Sequence, residues 1–191
     1  MPPNVLLLGI QGSGKGTQAK RIAAEYDSPH VATGEILRKA IEDGTPLGKE
    51  VEDILARGDL VPDATMIDLI REQLADSDGF VLDGFPRTMA QAEALDDMLA
   101  EINRPLDVVF VLQVPDDVAR ERLAKRALDE GRADDTPEAI ENRIETYHRE
   151  TEPIVEYYRA RGSLVPIPGT GTVEEVFRQI RDALEQVAVR Q

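Results

Sequence analysis

The sequence contains no cysteine and no tryptophan, and aromatic residues make up only 4% of its 191 positions. Without cysteine the chain cannot form a disulfide, a thiolate zinc site, an iron–sulfur cluster or a thiol nucleophile. Basic residues are also scarce, since 22 Lys and Arg stand against 37 Asp and Glu and give a formal net charge of −15. Because such a field repels phosphate backbones and anionic lipids, we expect neither a nucleic-acid nor a membrane partner.

Long apolar runs are missing as well. No stretch approaches the roughly 18 to 20 apolar residues of a membrane helix, and the first apolar run ends at Gln11 with no basic residue before it. We therefore expect a cytoplasmic protein without a targeting segment. The 41% of apolar residues is enough for an aliphatic core in a single domain over residues 1–191.

Short runs of Val, Leu, Ile and Phe lie between longer segments of mixed charge. They predict buried strands over 5–8, 80–82 and 108–114, with weaker candidates at 30–32 and 164–167. Because the strong runs are nearly continuous, both of their faces should be covered, as in a parallel sheet between helices. The alternation of strands and helices predicts an α/β fold of about five parallel strands, with ligands at the carboxyl ends of the strands.

Threonines mark three of the predicted helix starts. Thr88 with Gln91 and Thr172 with Glu175 each match the pattern of a capping box, in which the two side chains bond each other's main chain. Thr136 precedes a proline, which is typical of a helix whose first position is proline.

The segment GIQGSGKGT follows the first predicted strand and opens a helix. Its GxxxxGK spacing is typical of a phosphate-binding loop, in which glycines let main-chain N–H groups and the helix end point at a polyphosphate. The loop residues that we expect to bind phosphate are Gly12, Ser13, Gly14, Lys15, Gly16 and Thr17.

The usual Ser or Thr directly after the loop lysine is replaced here by Gly16. A carboxylate, Asp83, ends the apolar run FVL, where it could hold the magnesium of a nucleotide, in this case through water. An aspartate that only caps the next turn is the alternative that the residues leave open.

Five motifs together resemble the adenylate kinase family along essentially the whole chain: GIQGSGKGTQ, TGEILR, DGFPRTMAQ, GRADD and NRIETY. The resemblance implies a P-loop kinase fold with a helical AMP-binding excursion over about 33–61 and a short lid over about 126–136. It also implies a monomer that catalyses ATP + AMP ⇌ 2 ADP with Mg²⁺. The lid is too short for a structural zinc site, and no cysteine is available for one.

The resemblance also implies roles for individual residues. Guanidinium groups suit such a reaction because they pair bidentately with phosphate oxygens, and the implied catalytic set is Lys15, Arg87, Arg122, Arg126, Arg132 and Arg143. ATP would be held by the phosphate loop together with Arg126 and Gly171. AMP would be held by Thr33, Arg38, Val61, Gly84, Arg87, Gln91, Arg132 and Arg143.

For some of these residues, local sequence patterns offer a simpler, structural explanation. Arg122 and Arg126 share one face of a helix that is rich in charge, so both could be solvated. Thr33 could cap the helix that it begins, and Gln91 could serve only its capping box, whereas by resemblance its amide would read adenine.

Two alternative functions stay open from the sequence. A kinase of UMP or CMP would share the loop and the arginines, but such relatives resemble GFPRN with Asn in place of the glutamine, so Thr88 and Gln91 favour AMP. An ATP- or GTP-binding regulatory module is the second. The guanine-reading NKxD motif is absent, because no asparagine is followed by lysine.

Overall fold

A computed structural model describes residues 2–75 and 77–189. Its sheet contains five parallel strands in the order second, third, first, fourth, fifth. They are β1 (Asn4–Leu8), β2 (His30–Ala32), β3 (Phe80–Asp83), β4 (Val108–Gln113) and β5 (Leu164–Pro168). All five predicted strands are confirmed, and they differ from the prediction only by a residue at some ends.

Helices fill the segments between the strands and follow the last one. They are α1 (Lys15–Tyr26), α2 (Thr33–Glu42), α3 (Pro46–Arg57), α4 (Asp63–Leu74), α5 (Met89–Glu101), α6 (Asp116–Glu130), α7 (Pro137–Thr146), α8 (Glu152–Ala160) and α9 (Val173–Ala188). A π-helical turn, Tyr147–Thr151, joins α7 to α8. Among the described residues, no helix is long and apolar enough to cross a membrane.

The core lies on both faces of the sheet. Val5 and Leu7 pack on the face covered by α1 and α9, while Leu6 and Leu8 pack on the face covered by α4, α5 and α8. All four side chains are at most 2% exposed. Because alternate residues of a strand point to opposite faces, covering both faces requires a continuous apolar run, and this explains the pattern in the sequence.

The predicted helix starts are confirmed with one correction. Thr136 caps α7, and Thr172 forms a full capping box with Glu175 at α9. The Thr88 hydroxyl accepts from the Gln91 N–H at 3.2 Å, but the Gln91 oxygen accepts from the Arg87 N–H instead of from that of Thr88. The reciprocal box predicted at Thr88 is therefore wrong. The buried Gln91 amide is oriented instead by Asp63 on α4, to which its nitrogen donates.

Two segments extend from the carboxyl edge of the sheet. Residues 33–61 comprise α2, α3 and the connection to Val61, and they lie between β2 and α4 in the chain. Residues 131–136 connect α6 to α7. Both segments border the cavity at this edge.

Candidate active site

A cavity of about 470 Å³ lies at the carboxyl edge of the sheet, bordered by the loop after β1, the end of β3, and α2, α6 and α7. Its volume is within the range of roughly 300 to 1,000 Å³ that is usual for small-ligand sites. In a chain of net charge −15, nine Lys and Arg but only six Asp and Glu border this cavity among the described residues. The site therefore concentrates positive charge and suits an anionic ligand.

The loop after β1 is folded as a phosphate cradle. Gly12 has φ of 85°, and a side chain there would place its Cβ 2.6 Å from the Ala119 carbonyl oxygen, so only glycine fits. The Lys15 ammonium donates to the carbonyls of Gly9 at 2.6 Å and Ile10 at 2.9 Å. The lysine is thus folded over its own loop, in reach of a phosphate placed at the start of α1.

Lys15 and Asp83 both border the cavity and influence each other electrostatically. Burial lowers the pKa of Lys15 to about 8, with Asp83 opposing the shift and Arg87 adding to it. Burial alone would raise the pKa of Asp83, but His30, Lys15 and Arg87 outweigh it and hold that pKa below its usual value. Asp83 is therefore an ionised carboxylate at neutral pH.

The surroundings of Asp83 fit a magnesium ion. The carboxylate ends β3 and borders the cavity together with Thr17. A side chain at Gly16 would place its Cβ 3.4 Å from Asp83 Oδ2, so the phosphate loop passes directly beside the acid. Mg²⁺ takes hard oxygen ligands and usually keeps several waters and phosphate oxygens, so one carboxylate beside a phosphate loop suits it.

Two adjacent acids of the segment 131–136 hold several arginines. Arg126 on α6 donates to both Asp135 carboxylate oxygens, at 2.7 and 2.9 Å. Arg143 on α7 pairs with Asp135 and, at 2.9 Å, with Asp134, and Arg38 lies 3.9 Å from Asp134. The carboxylates thus occupy guanidinium groups whose geometry also fits phosphate.

Burial alone would raise the pKa of Asp135, whose side chain is fully buried, but Arg126 and Arg143 lower it overall. The acid therefore stays ionised and paired.

The other three arginines of the site each contact a different part of the protein. Arg122 approaches the carbonyl oxygens of Gly12 and Ser13 at 3.4 Å each, so it contacts the phosphate loop. Arg87 donates from Nε to the Gly84 carbonyl at 2.7 Å, and burial lowers its pKa to about 10, which leaves it charged at neutral pH. Arg132 borders the cavity but pairs with its neighbour Glu130 at 2.6 Å.

Two side chains, Thr33 and Gln91, mark the end of the cavity away from the phosphate loop. Thr33 does not cap α2, because Ala32 is the capping position, and its hydroxyl instead approaches the Asp83 carbonyl at 3.4 Å. Gln91 is 2% exposed, and its amide nitrogen donates to Asp63 Oδ1 at 2.8 Å.

The adenylate kinase family model matches residues 7–163 of the chain. The chain belongs to the adenylate kinase family. It is 49% identical over 180 residues to an adenylate kinase of Thermus thermophilus, covering 94% of this chain and 96% of the relative. It is 45% identical over 183 residues to an adenylate kinase of Xylella fastidiosa (strain M12), covering 94% and 98%. The chain is therefore a nucleoside monophosphate kinase with the α/β P-loop fold that the resemblance implied.

Nearly all of the site residues predicted from the sequence border one cavity in the kinase. In the described part of the chain, two of them lie outside its lining. Ser13 is a buried residue of the phosphate loop, at 2% exposure, and Gly171 lies in the exposed segment before α9.

Sequence reasoning missed two neighbours of the nominated residues. Gly169 lies beside the loop, since a Cβ there would be 3.2 Å from the Ser13 carbonyl oxygen. Asp63 bonds Thr88 and Gln91 from α4. In the sequence Asp63 follows Pro62, which is a signal of a helix start and not of a site.

Proposed function

We propose that the cavity holds ATP and AMP end to end and transfers the terminal phosphoryl group of ATP to the phosphate of AMP, giving two ADP. One observation supports this most directly: a single basic cavity runs from the phosphate loop to Gln91. Phosphoryl transfer needs little covalent chemistry from the protein, which acts by aligning the two phosphates and stabilising their charge. A cytoplasmic monomer remains a prediction from sequence and family resemblance.

On the donor side, residues 12–17 would hold the ATP phosphates, with the Lys15 charge and the N–H groups at the start of α1 directed at them. Arg122 and Arg126 would contact the group in transfer from α6, and Gly171 stays a predicted contact of ATP. Asp83 would hold Mg²⁺ through water, and the ion, when bound, neutralises charge on the phosphates.

On the acceptor side, Arg38 and Arg87 would grip the AMP phosphate. Arg132 and Arg143 would bridge the two nucleotides, and the AMP base would lie between Gln91 and the residues Thr33, Val61 and Gly84 that border the same end of the cavity. We assign AMP binding to residues 33–61 and the lid to residues 126–136.

Closing these segments would serve two purposes. Phosphate oxygens would replace the carboxylates of Asp134 and Asp135 on the arginines, because both anions bind guanidinium in the same bidentate manner. Closure would also exclude water, which otherwise competes with AMP as the acceptor.

The test is a coupled assay of ADP formation, which should require both ATP and AMP. AMP, CMP, UMP and GMP are compared as acceptors, and equal or better use of CMP would contradict the assignment. Gln91→Asn should weaken the preference for AMP while ATP binding is unchanged, because the shorter amide no longer reaches the base.

A variant at Arg87 separates a kinase from a regulatory module that binds a single nucleotide. Arg87→Ala should lower phosphoryl transfer by about 10²-fold or more, because it removes a positive charge that stabilises the phosphate of the acceptor. The affinity for ATP should be retained. Arg71→Ala, on the exposed side of α4 where it pairs with Glu101, is the matched control and should keep full activity. Loss of ATP affinity in Arg87→Ala without a matching loss of transfer would contradict the proposal.

A further inference from the structure

The amide of Gln91 is held from two opposite sides. Its nitrogen donates to Asp63 Oδ1 at 2.8 Å, and its oxygen accepts from the Arg87 main-chain N–H at 2.8 Å. Asp63 Oδ1 also accepts from the Thr88 hydroxyl at 2.9 Å. The Gln91 side chain therefore lies at the base-binding end of the cavity with both polar atoms already engaged.

We infer that Asp63 is a specificity-determining positioning residue: by fixing the direction of the Gln91 amide, it makes the acceptor site take an adenine nucleotide and reject 6-oxopurine nucleotides. The inference rests on the proposed function, in which Gln91 reads the base of AMP. Asp63 itself lies behind Gln91, outside the cavity lining in the described part of the chain, so it acts through the glutamine.

The direction of the Gln91 amide is fixed because neither of its two partners can change between donor and acceptor. An ionised carboxylate only accepts hydrogen bonds, and a main-chain N–H only donates one. Turning the Gln91 amide over would place its NH₂ against the Arg87 N–H and its oxygen against Asp63. Because Gln91 is only 2% exposed, no water could reach its amide to compensate the donor–donor contact with Arg87 and the acceptor–acceptor contact with Asp63.

The fixed amide has one N–H and one oxygen lone pair left for a ligand. Adenine offers the matching set, because its position 6 carries an amino donor and its N1 is an acceptor. Hypoxanthine and guanine carry a carbonyl acceptor at position 6 and a donor at N1. With these bases, the fixed Gln91 amide would place its oxygen against the carbonyl at position 6 and its N–H against the N1–H. An amide that could turn freely would bind either kind of base.

A simpler role is also available to Asp63. It is the first residue of α4, whose capping position, Pro62, makes no side-chain bond, and a negative charge stabilises a helix start. That role predicts an effect on stability alone, without any change in the choice of base.

The experiment replaces Asp63 by asparagine in the kinase. Asp63→Asn keeps the shape of the side chain but can present either an oxygen or an NH₂ group, so it no longer dictates the direction of Gln91. Asp68→Asn, the same chemical change at an exposed position of α4, is the control. The quantities measured are kcat/KM for AMP and for inosine monophosphate, the KM for ATP, and the melting temperature.

Asp63→Asn should lower the ratio of AMP to inosine monophosphate use by about tenfold or more, through poorer use of AMP and better use of the 6-oxopurine. The KM for ATP should not change, and Asp68→Asn should retain the native ratio. A lower melting temperature with an unchanged ratio would overturn the inference and leave Asp63 as a helix start.

Two further variants keep the test decisive. Asp63→Ala removes the acceptor altogether, and calorimetric titration with each monophosphate should show the same loss of preference without relying on catalysis. Gln91→Ala tests the underlying proposal: if it leaves the preference intact, Gln91 does not read the base. If Gln91→Ala abolishes the preference while both Asp63 variants retain it, only the role of Asp63 is wrong.

Discussion

Lys15 is the lysine of the cavity lining whose pKa is shifted closest to neutral pH among the described residues. Burial lowers its pKa to about 8, although Asp83 beside it opposes the shift. A lysine with a lowered pKa is charged below that value and becomes neutral above it, so the empty site loses its loop cation at a pH where an exposed lysine would keep it. A bound polyphosphate stabilises the charged form and restores it.

ATP affinity should therefore fall as the pH rises through about 8. From about pH 7.5 upward the nucleotide phosphates are already ionised, so the change belongs to the protein. Binding should take up about half a proton near pH 8 and close to one proton about one pH unit higher. Calorimetric titration with a non-hydrolysable ATP analogue, in buffers of different ionisation enthalpy, measures both quantities. Lys15→Arg, which stays charged, should bind with little dependence on pH, and a flat profile in the native kinase would contradict the assigned pKa.

Among the elements, the segment 33–61, to which we assign AMP binding, is held against α7 by a close main-chain contact. Asn142 donates from Nδ2 to the Arg57 carbonyl at 2.9 Å and to Asp59 Oδ1 at 2.7 Å. Between these two residues, Gly58 has φ of 76°, and a Cβ there would lie 2.6 Å from the Ala139 carbonyl oxygen. The end of α3 therefore docks on α7 only because position 58 has no side chain.

Gly58→Ala should weaken this docking and raise the KM for AMP, because the added methyl group separates α3 from α7. Gly44→Ala is the matched control: its φ is 64° and its Cβ would meet nothing within 4 Å, so it adds the same backbone strain without the clash. Both variants should lose about 1 kcal/mol of stability from the left-handed conformation, and Gly58→Ala should lose more. Equal KM values for AMP in the two variants would show that the contact does not position the excursion.

The π-helical turn between α7 and α8 contacts a residue of the proposed acceptor site. The Thr151 hydroxyl at its end donates to the Arg87 carbonyl at 2.8 Å. Arg87 also donates its main-chain N–H to Gln91, so this one residue connects the π-helical turn to the residue that we propose binds the base. Such turns often occur at functional sites because they displace one side chain from the helical register.

Over the whole molecule, charge is divided between an acidic surface and a basic cavity. The chain carries −15, whereas Lys and Arg outnumber Asp and Glu in the cavity lining among the described residues. The surface charges repel each other across the folded protein, and the cavity attracts anions. Dissolved salt screens both interactions.

Salt should therefore act in opposite directions on stability and on substrate binding. Between about 0.05 M and about 1 M NaCl, where the Debye length falls to a few ångströms, the melting temperature should rise and the KM values for ATP and AMP should increase. Thermal unfolding and initial rates measured in the same buffers check this. A melting temperature that falls with salt would show that surface ion pairs stabilise the fold more than net repulsion destabilises it.

The sequence was sufficient to predict the sheet and most of the cavity lining. Continuous apolar runs such as the one ending at Leu8 predicted strands covered on both faces, and the spacing of the loop after it predicted a phosphate-binding loop. These features leave signals in short stretches of sequence, because apolar runs, loop glycines and helix starts are patterns of residues close together in the chain. Residue roles came from the family motifs, and no local rule would have separated Arg126 from a solvated arginine.

The tertiary structure decided which groups meet across long separations in the chain. Asp63 reaches Gln91 from a different helix, and Asp134 lies within ion-pair distance of Arg38 and Arg143. The Gln91 oxygen bonds one residue away from its predicted partner. Such contacts depend on how helices pack, and a sequence motif records which side chains are present but not what each one faces. The sequence by itself therefore determined the chemistry available to this kinase, and packing determined which atoms of that chemistry remain free for the nucleotides.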